Sequence, residues 1–460
     1  MIKYFVFLIT LFFSIEMHAQ MQGNIWYFGD YAGLDFNSGA PIAITNGAMS
    51  TDEGCAAISD DTGHILFYSN GVSVWNRNHV VMPNGSGLLG DVSSTQSCIF
   101  VLQPGSTTIF YIFTVAQVGG PDGLCYSIVD LTLDGGLGDI TSKNVQLHTP
   151  VCEKISAVKH ANTSDVWVLS HEWNSDAFYA YRLTTTGITS PVISNVGSVH
   201  TGGTGCGNIN CNAVGCMKIS SKGTKSALAI RNMGIELFDF NNLTGVVSNP
   251  VTFPATWNPV CGVEFSPNNN ILYITKVISS PSIYQFNLNA GSPSAIISSA
   301  TLVGTSSASA IGHLQLGPDG KIYVGTRFAS YVGVINNPDV LGTGCNYVDQ
   351  GVYLNGKICR IGLPSFNQTY WLVGTKEESM LTAFSLYPNP SSDQVFIDLP
   401  SDNNDSQKLR IYNVIGSMVS ETEFTNNTKI DISEFQAGVY IIEIENTKTH
   451  SISHQRFIKQ

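Results

Sequence analysis

Val263-Glu264-Phe265-Ser266-Pro267-Asn268-Asn269-Asn270-Ile271-Leu272-Tyr273-Ile274 is two short apolar runs joined by a polar turn. Pro267 presets φ at the first corner, and the asparagines tolerate the left-handed position that follows, so the stretch reads as a β-hairpin. It recurs along the chain. Ala56-Ala57-Ile58-Ser59 passes through Asp60-Asp61-Thr62-Gly63 into Ile65-Leu66-Phe67-Tyr68. Met217-Lys218-Ile219-Ser220 passes through Ser221-Lys222-Gly223 into Ala227-Leu228-Ala229-Ile230. His313-Leu314-Gln315-Leu316 passes through Gly317-Pro318-Asp319-Gly320 into Ile322-Tyr323-Val324. Divergent copies lie around residues 99–113 and 155–169, and a third strand follows each hairpin, as at Val72-Ser73-Val74-Trp75.

Units start near residues 55, 97, 155, 215, 261 and 311. A spacing of roughly 50 residues is the period of four-stranded propeller blades. A seventh unit can be assembled from the two ends of the region. Gly362-Leu363-Pro364-Ser365-Phe366 resembles a first strand with no blade after it, while residues 24–30 and 33–37 match a second and a third strand. The expected fold is all-β, a seven-bladed β-propeller closed by its N- and C-terminal strands, which hides the sheet edges.

Composition bounds the function. Only 12% of the 460 residues are charged, 43% are hydrophobic and Gly reaches 44, which suits an all-β chain with an ample core. A net charge of -12 makes a polyanion an unsuitable partner, so no nucleic acid is expected. Lys3 precedes an apolar run over residues 4–13, and Met17-His18-Ala19 offers a small residue at a cleavage position. Residues 1–19 therefore read as a signal peptide, with Gln20 as the new N-terminus. No later run approaches ~18 apolar residues, so no transmembrane segment is expected in the mature chain. Export would put Cys55, Cys98, Cys125, Cys152, Cys206, Cys211, Cys216, Cys261, Cys345 and Cys359 in an oxidising compartment, where several are expected to pair. On propeller topology all ten fall on or near one face. Cys206, Cys211 and Cys216 lack the tight pairs of zinc sites, so a disulfide-pinned loop is expected there, with no metal and no cofactor.

After Trp371 the composition changes. The chain divides into a propeller over residues 20–375, a polar linker at 376–385 and a second module at 386–460. That module runs through Leu386-Tyr387-Pro388-Asn389-Pro390, Lys408-Leu409-Arg410-Ile411-Tyr412-Asn413, a Gly416 turn, Gly438-Val439-Tyr440 and a terminal Phe457-Ile458-Lys459. Alternating strands with Asn, Asp and Gly turns make a small Ig-like β-sandwich. These ordered motifs closely resemble the type A C-terminal sorting domain of the type IX secretion system, with Pro388, Asn389, Pro390, Gly438, Tyr440 and Lys459 as its sorting-signal residues. The resemblance implies the type IX secretion machinery as partner, delivery to the outer-membrane surface of a Gram-negative bacterium or to its medium, and removal of the module. Over residues 22–375, the Ser-Pro-type turns, Trp26-Tyr27-Phe28-Gly29 and His171-Glu172-Trp173-Asn174-Ser175 resemble the WD40-like (PD40-type) repeat of secreted propeller proteins that use this route. That resemblance carries no assigned chemistry.

In such a ring, second strands end on the face where first strands begin. The expected ligand-facing residues there are Asp30, Tyr31, Asn70, His171, Glu172, Trp173, Asn232, Lys276 and Arg327, which combine charge with aromatic stacking surface suited to a sugar or peptide. Polar residues at these ends also arise because strands enter loops. Lys218, Glu264, Gln315 and Ser365 hold equivalent positions on four first strands and are expected to line the central channel, Lys218 pairing with Glu264. No His-Glu-x-x-His, Gly-x-Ser-x-Gly or Walker sequence occurs, so no catalytic residue is assigned. Asp52, Glu53, Glu153 and Glu172 are the carboxylates from which an acid–base pair would be drawn. The expected function is a secreted or cell-surface binding or adhesion protein for a glycan or protein ligand. The alternative is a secreted hydrolase or lyase acting on polysaccharide.

Overall fold

The computed structural model describes residues 21–207, 210–371, 384–399, 406–413, 417–447 and 452–460. The expected leader, Gln20, linker residues 376–383 and the Gly416 turn lie outside them. Two compact units divide the chain, Met1–Val373 and Gly374–Gln460. Among the described residues no helix is long and apolar enough to cross a membrane.

The first unit is a succession of antiparallel sheets, each made of consecutive strands. An N-terminal sheet holds Ile25–Phe28, Ala32–Asp35 and Ile42–Ile44. Sheet 1 holds Ala56–Ser59, Ile65–Ser69, Ser73–Asn76 and Val81–Ser86. Sheet 2 follows with Cys98–Leu102, Ile109–Val115, Leu124–Asp130 and Asp139–His148. Sheet 3 has Val151–Lys159, Val166–Glu172, Ala177–Thr184 and the short Gly187–Ile188 and Val192–Asn195. Sheets 4, 5 and 6 open with Met217–Ile219, Val260–Phe265 and Ile311–Leu316 and have four strands each. The strands thus start where the hairpin units predict.

First strands are buried on both faces, whereas fourth strands such as Val81–Ser86 and Tyr347–Tyr353 alternate toward solvent. First strands of neighbouring sheets lie side by side, joined by bonds such as Cys216 N–H to Cys261 O at 2.8 Å. The N-terminal sheet uses both faces of one strand. Trp26 meets Tyr323 of sheet 6 edge-on at 5.3 Å, and the next residue, Tyr27, meets Tyr68 of sheet 1 at 4.4 Å. A period of two sends successive side chains to opposite faces, so this strand is wedged between the first and last sheets. Residues 358–367 complete the contact through isolated bridges: Asp30 to Ile358, Cys55 to Pro364 and Ala157 to Asn367. Pro364 has no N–H to offer a ladder, which explains why no regular strand forms there. Gly362 must be glycine, because a Cβ would sit 1.7 Å from the Glu53 carbonyl oxygen.

The second unit has two sheets. Ser385–Tyr387, Gln394–Asp398 and Thr428–Asp431 form one, and Met418–Phe424, Gln407–Asn413, Gly438–Asn446 and Ile452–Lys459 the other. Their inner faces share a core of Phe384, Val395, Ile397, Leu409, Ile411, Ile442 and Phe457. Phe384 and Ser385, read from sequence as linker, thus belong to this module. Asn389 holds its end together: Nδ2 donates to Arg456 O at 2.9 Å, and Oδ1 accepts from Ile458 N–H at 2.9 Å. Gly438 pairs with Lys459, and Tyr440 Oη donates to Gln436 O.

Candidate functional site

Two of the expected ligand-facing residues gather in one exposed group, with Asp30 beneath it. Tyr31 lies between the first two strands of the N-terminal sheet and is 46% exposed, and Phe328 follows the second strand of sheet 6 and is 56% exposed. Both have left-handed backbone, φ 59° and 56°, uncommon for residues carrying a large side chain. Arg327 and Arg360 each set a guanidinium over the Phe328 ring, at 4.8 and 4.9 Å, and Lys357 Nζ lies 5.5 Å from the Tyr31 ring. Asp30 does not present a free carboxylate. It takes Arg360 Nε at 2.7 Å and Ser50 Oγ at 2.8 Å, so its role is to aim Arg360. Arg360 Nη1 also reaches Asp52 at 3.6 Å. Phe328, Lys357 and Arg360 were not read from sequence, although an aromatic next to Arg327 at a strand end was a usable signal.

The other expected contacts do not join this group. Asn70 is buried, and its Oδ1 accepts the N–H groups of Val72 and Ser73. Asn232 is exposed, with its N–H on Asn212 Oδ1, and Lys276 is half-buried at the end of its strand. His171 and Trp173 require correction: neither faces solvent. His171 stacks on His200 at 3.7 Å and meets Phe178 edge-on, while Trp173 packs against Cys152 and Ala213. Glu172 stays half-buried and accepts from Tyr179 Oη at 3.3 Å. A polar or aromatic residue at a strand end marks the approach of a loop, and here that loop folds back over the strand.

Behind the exposed group, first strands converge on a buried polar layer. Glu153 Oε2 accepts from Thr95 N–H at 2.8 Å and Thr95 Oγ1 at 2.6 Å, and Oε1 accepts from Val118 N–H at 2.7 Å. Glu53 has a buried Oε2 with no partner, and burial, then the neighbouring Glu153, pushes its carboxyl well above the ordinary range. Burial also raises Glu153, opposed by its three donors. An acid beside a carboxylate is the pairing that general acid–base chemistry needs. Here, however, both Glu153 oxygens are taken up by the protein's own donors. Lys154 is buried too, donating to Ala213 O at 2.7 Å, and Gln96 ties sheet 2 to Met217 and Ile155 of the next two sheets.

Three of the four expected channel residues meet in a second layer. Lys218 Nζ lies 2.9 Å from Glu264 Oε2 and donates to Gln315 Oε1. Their exposures are 3%, 1% and 1%, so they close the interior with bonds to one another and present nothing to water. Ser365 is also buried, its N–H on Cys55 O at 2.8 Å, apart from that trio.

Among the cysteines, Cys206 and Cys211 are bridged, with Cα atoms 5.7 Å apart. The expectation of several bridges is corrected: Cys55, Cys98, Cys125, Cys152, Cys216, Cys261, Cys345 and Cys359 are free and buried. Most lie in the interior of the sheets, where a thiol packs as a small apolar group. Cys261 is the exception electrically, held below the ordinary thiol range chiefly by a hydrogen bond from Cys216.

Buried histidines make the unit acid-sensitive. Burial pushes His148 down to about 4 and holds His171 and His200 well below the ordinary value. The folded state keeps these rings neutral while the unfolded chain takes up protons below about pH 6.5, so stability falls as pH drops through that point toward about 4. Each ring contributes a slope of up to about 1.4 kcal/mol per pH unit. Thermal unfolding followed from about pH 7 to about pH 4 should show a steadily falling midpoint; a flat profile would refute the assignment.

Comparison with known proteins adds the export route. Residues 385–460 match the family model of the secretion system C-terminal sorting domain. No curated protein matches the chain. Similar solved structures include PorZ, an essential bacterial surface component of the type-IX secretion system of Porphyromonas gingivalis, at 12% identity over 95% of this chain and 74% of that one, with a TM-score of 0.32. A functionally unknown protein from Desulfotomaculum acetoxidans has 11% identity over 82% and 98% of the two chains, with a TM-score of 0.38. The periplasmic gluconolactonase PpgL of Pseudomonas aeruginosa has 10% identity over 77% and 98%, with a TM-score of 0.34. The C-terminal module is a type IX sorting domain, and the protein is secreted to the cell surface or extracellular space of a Bacteroidetes-type Gram-negative bacterium.

Proposed function

We propose that the first unit is a seven-bladed β-propeller that serves as a binding protein at the cell surface. Its recognition surface is the exposed group of Tyr31, Arg327, Phe328, Lys357 and Arg360, and its ligand is a surface glycan bearing carboxylates. The ring is supported by the N-terminal strand, whose Trp26 and Tyr27 pack on the last and first sheets respectively. One observation carries the binding reading: two large aromatics stand exposed on left-handed backbone with three cations around them. Such backbone costs on the order of 1–3 kcal/mol per residue and persists where the surroundings over-determine it. Aromatic faces stack on sugar rings, and guanidinium forks take carboxylates in pairs. Arg360 is already paired with Asp30 and Asp52, so on a chain with net charge -12 Arg327 and Lys357 are the cations of the group that select an acidic ligand. The hydrolase or lyase alternative would use Glu53 and Glu153, but Glu153 spends both oxygens inside the protein.

A glycan array probed with the secreted protein tests this reading. Binding should favour acidic glycans and weaken with salt, and Phe328→Ala or Tyr31→Ala should each lower affinity by roughly tenfold or more without altering the fold. Turnover of a polysaccharide panel that disappears in Glu53→Gln would replace binding with catalysis.

A further inference from the structure

Three soft ligand side chains from neighbouring sheets converge in the interior. Cys216 immediately precedes the first strand of sheet 4, Cys261 lies on that of sheet 5 and His313 on that of sheet 6. Both sulfurs and a His313 ring nitrogen lie within 4.8 Å of one another, and all three residues are buried. The backbone enforces this meeting. Cys216 N–H donates to Cys261 O, and Gly262 lies so close to Gly312 that a Cβ on it would stand 2.2 Å from the Gly312 oxygen. The residues flanking those glycines, Cys261 and His313, are thereby brought together.

The imidazole is fixed by the Leu363 backbone. Nδ1 accepts from the Leu363 N–H at 3.2 Å and lies 3.3 Å from the Leu363 oxygen, and the Nε2 side of the ring is buried. Metal binding through Nε2 requires the ring proton to move to Nδ1, which would then donate to Leu363 O in place of accepting the Leu363 N–H, the arrangement characteristic of metal-bound histidine.

We propose that Cys216, Cys261 and His313 bind one thiophilic d10 cation, Zn(II) or Cu(I). Each thiol gives up its proton to solvent on binding, and the two thiolates and neutral imidazole become the ligands. Sulfur and imidazole donors select these ions over Mg(II) or Ca(II), and three ligands leave a tetrahedral Zn(II) one open position. A second group, Cys152, His171 and His200, is as closely set but differs in shape. Its imidazoles stack face to face with only 10° between planes, so their in-plane lone pairs run side by side instead of converging. His171 Nδ1 is moreover 2.8 Å from Glu172 O, where it acts as a donor. The competing fate of Cys216 and Cys261 in an exported protein is a disulfide, which would leave no thiolate for a metal.

The experiment is elemental analysis of the secreted protein purified without chelators, with Co(II) substitution of the reduced, metal-stripped protein. About one equivalent of zinc or copper per chain is expected, its identity distinguishing the two ions, together with a thiolate-to-cobalt charge-transfer band. Cys216→Ser, Cys261→Ser and His313→Ala should each reduce bound metal by about tenfold or more, whereas Cys152→Ser should retain it. If those variants fail to fold, wild-type protein still decides the matter: metal should shield Cys216 and Cys261 from alkylation, and chelator should expose them. A Cys216–Cys261 disulfide found by peptide mapping, absence of the cobalt band in reduced protein, or metal lost only in Cys152→Ser would each overturn the proposal.

Discussion

A chain truncated after Val373 is expected to remain inside the cell envelope, with the extracellular fraction falling below detection. The module it lacks is the sorting domain at residues 385–460. That module has its own core, centred on Val395, Ile397, Leu409, Ile411, Ile442 and Phe457, and the first unit has separate cores of its own. Truncation should therefore remove the address and leave the cargo folded. Retained protein should resist limited proteolysis as the full chain does, and residues 384–460 fused to another leader-bearing cargo should direct it out of the cell. A smaller lesion should act in the same direction. Asn389→Ala deletes both bonds to the last strand, worth about 1 kcal/mol each, so the terminal strand should fray and secretion fall without being lost. Wild-type secretion of the truncated chain would refute the assignment.

The sheets were legible because each hairpin carries its own turn chemistry. Pro267 with its asparagines, or Gly317-Pro318-Asp319-Gly320, marks a hairpin irrespective of what surrounds it. Positions equivalent in successive repeats could be compared as well, which is why Lys218, Glu264 and Gln315 were singled out and why the structure brings them together. What the loops do was much less legible. His171-Glu172-Trp173 reads as an exposed recognition motif, yet Cys152, Ala213 and His200 cover it from segments distant in sequence. Phe328 and Arg360 come from separate connections and meet only because residues 358–367 return across the N-terminal sheet. The Cys216, Cys261 and His313 group was invisible for the same reason. Each ligand comes from a different sheet, and no local spacing announces a site assembled by the lateral packing of strands.

Lys218→Met is expected to be among the most destabilising substitutions in the first unit. Lys218 and Glu264 are both almost fully buried, and their ion pair at 2.9 Å is completed by Gln315. Burying either charge costs several kcal/mol, offset only while the partner is present. Removing Lys218 leaves Glu264 with two backbone donors, Phe265 N–H at 3.0 Å and Leu316 N–H at 3.1 Å, but no cation. Breaking one side of such a pair costs about 3–5 kcal/mol. Glu264→Gln should fall in the same range, because it strands the ammonium and weakens the acceptor for those two N–H groups. The double variant Lys218→Met/Glu264→Gln removes both charges at once and keeps a polar acceptor beside the backbone donors. It should therefore recover much of the loss, with a coupling energy of up to about 3 kcal/mol. Denaturant unfolding of wild type, both single variants and the double variant supplies the complete cycle. Single losses below about 1 kcal/mol, or losses that simply add, would mean that the pair is solvated in solution and that first strands meet across water instead of through this network.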